Sequence, residues 1–364
     1  MAQVARAAGV SVMTVSYAYS RPDRVSAAAA ARVRAAAAEL GYPGPHPGAR
    51  SLRRGRAGSL GFVLGERLTY AFEDPQAARF LSGVAEVCAA EAVGLTLVPT
   101  TGQDSDAARV ADAAVDGFVI WTTTEDDPVL DAVTTTGLPA AIHAAPHRPG
   151  LPVVGIDDRA AAAAIGQVAF AGACRPAVLS FPLDRDRRQQ LLRGPAPTRV
   201  PFPVTRRRWQ GLADAWTNAG GALDQLRVAV CPHNSAAHGE ALTHELLADE
   251  QPPDAIAAMS DELALGALLA AERAGIAVPE ALSITGWDDS DAAAAAGLTT
   301  LAHSLRDQGI RCAQLALGKA SPTAGDDRAD WQVIHRRSTR QRPPRRREPS
   351  AGSIPTVSDH HGQK

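Results

Sequence analysis

The stretch "AAGVSVMTVSYAYS" (residues 7–20) decides how the beginning of the chain folds. Gly9 favours a tight turn, and Ser11 belongs to the residue types that cap helix N-termini. A short helix is therefore predicted over residues 3–8, and a second helix from Ser11 to about Tyr19. Two short helices joined by a tight turn form a helix–turn–helix unit.

A third helix follows this unit and completes a small module. It is predicted from Ser26 through a run of alanines to Leu40, where Gly41 ends it. Residues 1–60 contain nine arginines and two acidic residues, although the whole chain carries a net charge of −2. Three helices within about forty residues, together with this local positive charge, predict a nucleic-acid-binding head over residues 1–44.

The composition is typical of a soluble globular protein. Of the 364 residues, 45% are hydrophobic and 21% are charged, and this length allows two or three domains. The chain has neither a long apolar run nor a secretion signal, so a cytoplasmic protein without a membrane partner is expected. Its four cysteines are widely spaced, which predicts neither a disulfide framework nor a metal site. No cofactor is expected.

The segments beyond the head differ from one another in composition. Residues 45–58 are rich in Pro, Gly and Arg and are predicted to form a hinge or linker. The basic and polar tail at 341–364 is predicted to be disordered. Between them, residues 59–340 alternate short apolar runs such as "DGFVIW" (116–121) with helical patterns. That alternation predicts a two-lobed α/β core with parallel sheets, in which ligands bind beyond the carboxyl ends of the strands.

Several stretches match a known pattern in the same order along the chain. They include "QVARAAGVSVMTVS" (3–16), "RVRAAAAELGY" (32–42), "PHPGARSLR" (45–53) and "MSDELALGALLAAERAGIAVPEALSITGWDD" (259–289). Through them the chain resembles the LacI/GalR family of bacterial transcriptional regulators over residues 2–340. The resemblance implies an all-α helix–turn–helix head and a periplasmic-binding-protein-like core whose two lobes close on a small ligand.

The resemblance also implies which residues contact DNA. Val12 and Met13 lack hydrogen-bond donors and are expected to contact thymine methyl groups in the major groove, unless they pack into the core of the head. Leu52 is expected to insert between base steps in the minor groove, unless its segment is a plain linker. Arginines of the head are expected to contact phosphates or to form a solvated face. The predicted DNA-binding residues are Ser11, Val12, Met13, Thr14, Ser16, Tyr17, Arg21, Arg24 and Leu52.

A second set of residues is implied to bind an effector between the lobes. Asp288 and Arg208 match the family's ligand-binding carboxylate and buried arginine, and His303 stands where the family usually has Gln. Asp261 is alternatively a helix-capping residue, and Trp287 is alternatively a core residue. The predicted effector-binding residues are Tyr70, Phe72, Asp74, Arg208, Ser260, Asp261, Trp287, Asp288 and His303; Asp157 and Asp158 are weaker candidates.

Together these features predict a homodimeric repressor that binds a palindromic double-stranded DNA operator. A small molecule, sugar-like by resemblance, would control its operator affinity. The alternative is a sugar-binding protein with a vestigial DNA-binding head. An enzyme is not predicted, because the chain lacks the nucleophile elbow and the phosphate-binding glycine loops that such chemistry uses.

Overall fold

The computed structural model of the protein describes residues 1–44, 55–65, 70–101, 103, 105–195, 199–323 and 327–340. Most of the predicted hinge, including Leu52, and the predicted tail at 341–364 lie outside these residues. The described residues form a small helical head and a two-lobed core. Among them, no helix combines the length and the hydrophobicity that crossing a membrane requires.

The head contains three α-helices, α1 (Ala2–Ala8), α2 (Val12–Ser20) and α3 (Ala27–Glu39). Gly9 ends α1 in the left-handed conformation with φ of 63°, which glycine adopts without strain. Ser11 caps α2 by accepting a hydrogen bond from the amide of Thr14, and Ser26 caps α3 in the same way. The head has a small core in which Val15 and Val33 are fully buried.

The first lobe of the core begins with a parallel βα series. Its strands are β1 (Ser59–Leu64), β2 (Gly94–Pro99), β3 (Phe118–Ile120), β4 (Ala140–His143) and β5 (Val153–Gly155). Its helices are α4 (Tyr70–Glu73), α5 (Pro75–Ala90), α6 (Ser105–Ala111) and α7 (Pro128–Thr136). The strands are fully or largely buried, apart from β2 at one edge, because helices cover the sheet.

The second lobe repeats this architecture. Its strands are β6 (Pro176–Ser180), β7 (Gln190–Arg193), β8 (Arg227–Val230), β9 (Ala255–Ala258) and β10 (Ser283–Thr285). Its helices are α8 (Asp158–Ala169), α9 (Pro203–Asn218), α10 (Ala236–Leu247), α11 (Asp261–Arg273) and α12 (Asp291–Ala296). The strand order is β10-β9-β6-β8-β7, and all pairs are parallel except β7 with β8. This antiparallel edge strand is absent from the sequence prediction, because its side chains are only half-buried or exposed and its apolar run is short.

The last part of the chain connects the two lobes. It contains β11 (Thr300–Ala302), α13 (Leu305–Ala316), β12 (Asp327–Arg328) and β13 (Gln332–Ile334). Helix α13 packs in the core of the first lobe, and β12 completes that lobe's sheet in the order β12-β5-β4-β3-β1-β2. The chain passes between the lobes after β5, after β11 and between β12 and β13. A helical head and a two-lobed core with mainly parallel sheets confirm the predicted fold class.

Glycine allows α5 and α13 to approach each other closely. A Cβ atom added at Gly83 would overlap the carbonyl oxygen of Arg306, and one added at Gly309 would overlap that of Phe80. Because the obstructing atoms belong to the backbone, they cannot move aside as a side chain would. The first lobe therefore needs glycine at this helix crossing.

We expect Gly83→Ala to destabilise the core by about 2 kcal/mol, because one of the two helices must shift to admit the methyl group. Urea unfolding of the full chain measures the effect. Ser82→Ala, on the exposed side of the same helix, is the matched control and should change stability by less than about 0.5 kcal/mol. An equal effect of both substitutions would contradict the close crossing.

Candidate functional site

Helix α2 presents an apolar tip to solvent. Val12 and Met13 are 49% and 63% exposed, whereas Val15 on the opposite side is fully buried. The amide of Thr14 donates to Ser11 Oγ at 3.0 Å, and this bond holds the first turn of the helix in place. The first turn of α2 therefore exposes the methyl groups of Val12 and the thioether of Met13 to solvent.

The other predicted DNA-binding residues lie around this tip. Ser16 and Tyr17 are half-buried, and Arg21 and Arg24 are exposed after the end of α2. Arg32 donates through Nε to the carbonyl of Ala8 at 3.3 Å, so this arginine also holds α3 against α1. The face around α2 combines an apolar centre with positive charge at its edge.

A cleft lies between the lobes, where strands of both sheets end. Its lining includes the predicted residues Asp74, Arg208, Asp288 and His303. The cavity has a volume of about 80 Å³, well below the roughly 300 Å³ at which small-molecule sites usually begin. The two lobes are therefore close together in this conformation.

Arg208 on α9 is the central cation of the cleft. Its Nε donates to Asp158 Oδ1 at 2.9 Å and its Nη1 donates to the carbonyl of Met259 at 2.7 Å. The guanidinium also lies 3.9 Å from the centroid of the Trp287 ring, which favours a cation–π interaction. Asp158 is 2% exposed, and its second oxygen, Oδ2, has no hydrogen-bond partner among the residues that the structure describes. A ligand hydroxyl in the cleft can supply that missing donor.

A chain of polar side chains runs along the cleft wall. His303 Nε2 lies 3.2 Å from Asp288 Oδ1, and His303 Nδ1 lies 2.9 Å from the side-chain amide of Gln308. The carbonyl oxygen of the same amide group, Gln308 Oε1, lies 3.0 Å from His143 Nε2. Asp288 has φ of 106°, a left-handed conformation that costs free energy in a residue with a side chain and is often found at binding sites.

Burial shifts the pKa values of His143, His303 and Asp288 in this row of side chains. Desolvation lowers the pKa of His143 to about 3 and that of His303 to about 4, and the positive charge of Arg208 adds to both shifts. Desolvation raises the pKa of Asp288 well above its ordinary value, although Arg208 opposes this shift. Both histidines are therefore neutral at pH 7 and offer hydrogen-bonding groups rather than positive charge at the cleft wall.

Asp74 connects the two lobes at the other side of the cleft. Its Oδ1 accepts the amides of Gln76 and Ala77, both at 2.9 Å, and caps α5. Its Oδ2 accepts a hydrogen bond from Asn234 Nδ2 at 2.6 Å, and Asn234 Oδ1 accepts one from the Ser260 hydroxyl at 2.5 Å. Ser260, the N-cap of α11, thus reaches the cleft through Asn234.

Among the lining residues that escaped the sequence interpretation are His143, Asn234 and Gln308. His143 ends β4 and Asn234 closely follows β8, so the rule that ligands meet the carboxyl ends of strands could have found both. Gln308 lies within α13, and no local signal marks it.

Other predicted effector-binding residues lie apart from the cleft lining. Trp287 is 1% exposed, and Arg208 covers its ring face. Asp261 is buried in the first turn of α11, where it accepts hydrogen bonds from the Ser290 amide and the Thr300 hydroxyl. Phe72 is 69% exposed. The side chain of Tyr70 is outside the described part of the structure.

Ion pairs between the lobes surround the cleft. Arg206 Nη2 lies 2.6 Å from Glu125 Oε1, and Arg185 Nη2 lies 2.7 Å from Asp126 Oδ1. All four side chains are at least 30% exposed, so each pair contributes little individually. They favour the closed arrangement of the lobes without locking it.

Comparison with known proteins explains why a helical head accompanies a cleft. Residues 1–44 match the model of bacterial regulatory proteins of the lacI family, and residues 191–339 match a periplasmic binding protein-like domain. The HTH-type transcriptional regulator Rv3575c of Mycobacterium tuberculosis is 38% identical over 87% of this chain and 90% of its own length. The chain belongs to the LacI family. The predictions of this family and of a DNA-binding transcriptional regulator are confirmed.

Solved structures of LacI-family regulators extend the match to the fold. A regulator from Corynebacterium glutamicum is 29% identical with a TM-score of 0.70, and the match covers 93% of this chain and 98% of that one. The lac repressor dimer bound to operator and the anti-inducer ONPF also gives a TM-score of 0.70 at 21% identity, covering 92% of this chain and 97% of the repressor. At that identity the second match shows the shared fold alone.

The buried histidines make stability depend on pH. Since the pKa of His303 falls from 6.5 to about 4 on folding, the unfolded chain binds more protons between these values. The contribution of His303 to the free energy of unfolding is complete above pH 6.5 and is lost as the pH falls toward 4. We expect His303→Gln to reduce the loss of unfolding free energy between pH 7 and pH 5 by about 2 kcal/mol.

Urea unfolding at the two pH values measures this difference. His244→Gln changes an exposed histidine and serves as the control, which should keep the pH dependence of the original chain. The same loss of stability in His303→Gln as in the original chain would show that His303 titrates normally in the folded protein.

Proposed function

We propose that the protein is a homodimeric transcriptional repressor whose affinity for a palindromic operator is controlled by a small hydroxylated molecule bound between the lobes. The observation that carries this proposal is the exposed tip of α2, because exposed Val12 and Met13 at the start of a capped helix have no role in packing the head. The lac repressor, which shares the fold, was solved as a dimer with operator DNA and an anti-inducer.

On DNA, α2 enters the major groove and its first turn faces the base edges. Val12 and Met13 cannot donate hydrogen bonds to guanine, so they favour thymine methyl groups in each half-site. Ser11, Thr14, Ser16 and Tyr17 supply hydroxyl groups for bases or phosphates. Arg21 and Arg24 neutralise phosphates, which makes binding decrease with salt concentration. Leu52 inserts between the central base steps of the operator in the minor groove.

In the core, the effector binds to the polar groups of the cleft. Asp158 Oδ2 lacks a donor, and Asp288, His303 and Asp74 add further hydrogen-bonding groups around it. A molecule with several hydroxyl groups satisfies such a site, since each hydroxyl both donates and accepts. The effector acts on operator affinity only through its different affinities for the two arrangements of the lobes. The protein works in the cytoplasm and catalyses no reaction.

Fluorescence anisotropy with a palindrome from the gene's own upstream region tests the DNA interaction. We expect Met13→Ala to weaken binding to the palindrome about tenfold and to leave binding to a scrambled duplex unchanged, because only base contacts are lost. Leu40→Ala, another exposed apolar residue of the head, is the matched control with no effect. Equal, salt-sensitive binding to both duplexes would instead favour a vestigial head.

The effector response is tested on the operator complex, titrated with a set of sugars and related polyols. Glycine adopts the φ of 106° at position 288 without strain, so Asp288→Gly removes the carboxyl group and preserves the loop. We expect this variant to bind the operator normally and to need at least about tenfold more effector. Asp289→Gly is the control, because Asp289 has φ of 52° but pairs with Arg336 outside the cleft. A normal response of Asp288→Gly would remove Asp288 from the site.

A further inference from the structure

A second cavity adjoins the cleft. It has a volume of about 280 Å³, and its wall includes Ala144, Ile156 and Asp158, which also line the cleft. Its polar lining includes Arg159, Arg207, Gln210 and Arg328, and we refer to it as the arginine pocket. The pocket lies between the first lobe's β5 and β12 and the start of α9 in the second lobe. Its volume is close to the lower limit for small-molecule sites.

The carboxylates of the arginine pocket already have partners. Asp157 Oδ2 accepts from Arg328 Nη1 at 2.6 Å, and Asp158 Oδ1 accepts from Arg208 at 2.9 Å. Among the cations, Arg159 forms two hydrogen bonds with Asp214, at 2.7 and 3.2 Å. In each pair the arginine neutralises the charge of its aspartate. Neither Asp157 nor Asp158 therefore repels an incoming anion as strongly as a free carboxylate would.

Arg207 differs from these charged groups because no other described residue pairs with it. Its side chain is half-buried, and within the described part of the chain it forms neither a hydrogen bond nor an ion pair. Gln210 lies one helical turn further along α9, on the same side of the helix as Arg207. The pocket lining thus includes the unpaired guanidinium of Arg207, the amide of Gln210 on the same side of α9, and Arg159 on α8, which pairs with Asp214 through Nε and Nη2 only.

We propose that the arginine pocket is an anion site that takes a phosphate or carboxylate group, either attached to the effector or bound beside it. A planar guanidinium with free donors matches the oxygen geometry of both groups. The cleft provides the unpartnered Asp158 Oδ2 at the shared wall, where a hydroxyl of the same ligand can donate. A ligand that spans both cavities thereby has its hydroxyl groups in the cleft and its anionic group near Arg207. The attached form rests on the proposed function, whereas the anion site itself does not.

Binding of inorganic phosphate to the full-length protein, without DNA, tests the anion site directly. Titration calorimetry at constant ionic strength compares the original chain with Arg207→Gln. We expect Arg207→Gln to weaken phosphate binding at least about tenfold, since a charge-assisted hydrogen bond is lost. Arg199→Gln removes an exposed arginine of the same lobe and should bind phosphate normally. Absence of phosphate binding in the original chain, or equal binding in Arg207→Gln, would overturn the proposal.

Glucose 6-phosphate, titrated in parallel, distinguishes the two sources of the anion. Tighter binding than inorganic phosphate, lost in Arg207→Gln, supports an anionic group attached to a hydroxylated effector. Equal binding of the two compounds, weakened alike in Arg207→Gln, supports a free anion beside the effector. Because no operator DNA is present in these titrations, they test the anion site even if the protein does not repress transcription.

Discussion

The buried guanidinium of Arg208 holds together the part of the core on which the cleft depends. It binds Asp158 where the chain enters the second lobe, the carbonyl of Met259 after β9, and the ring of Trp287 after β10. Removing such a charge from water costs free energy, which the ion pair, the carbonyl and the aromatic ring offset together. Several strand ends therefore occupy one defined arrangement around a single cation.

This arrangement also determines the chemistry available to a ligand. One carboxylate oxygen of Asp158 accepts a hydrogen bond from Arg208, and the other has no partner within the described part of the chain; Asp158 lines both the cleft and the arginine pocket. The neighbouring histidines are neutral because they are buried near the same cation. A ligand therefore encounters carboxylates, neutral histidines and the guanidinium of Arg208 in the cleft, whereas further arginines line the arginine pocket beyond the shared wall. In the two proposals, hydroxyl groups bind in the cleft and an anionic group binds in the arginine pocket.

The head and the core differ in how they achieve stability. The head buries a few valines and alanines and relies on the serine caps of α2 and α3, so its fold follows closely from local sequence. The core relies on contacts between distant segments, such as the crossing of α5 and α13 that only glycine permits. The chain passes repeatedly between the lobes, so a change in the angle between them acts on several segments at once.

The sequence by itself determined the three helices of the head, the exposure of Val12 and Met13, and the alternation of strands and helices in the core. These features follow from caps, turns and periodic apolar residues within a few positions of one another. It also indicated Asp74, Arg208, Asp288 and His303, which the structure brings to one cleft. Only the tertiary structure decided that Arg208 covers Trp287, that Asp261 is bound between loops, and that His143, Asn234 and Gln308 join the cleft. Each of these contacts connects residues from distant parts of the chain, so no local pattern can specify them.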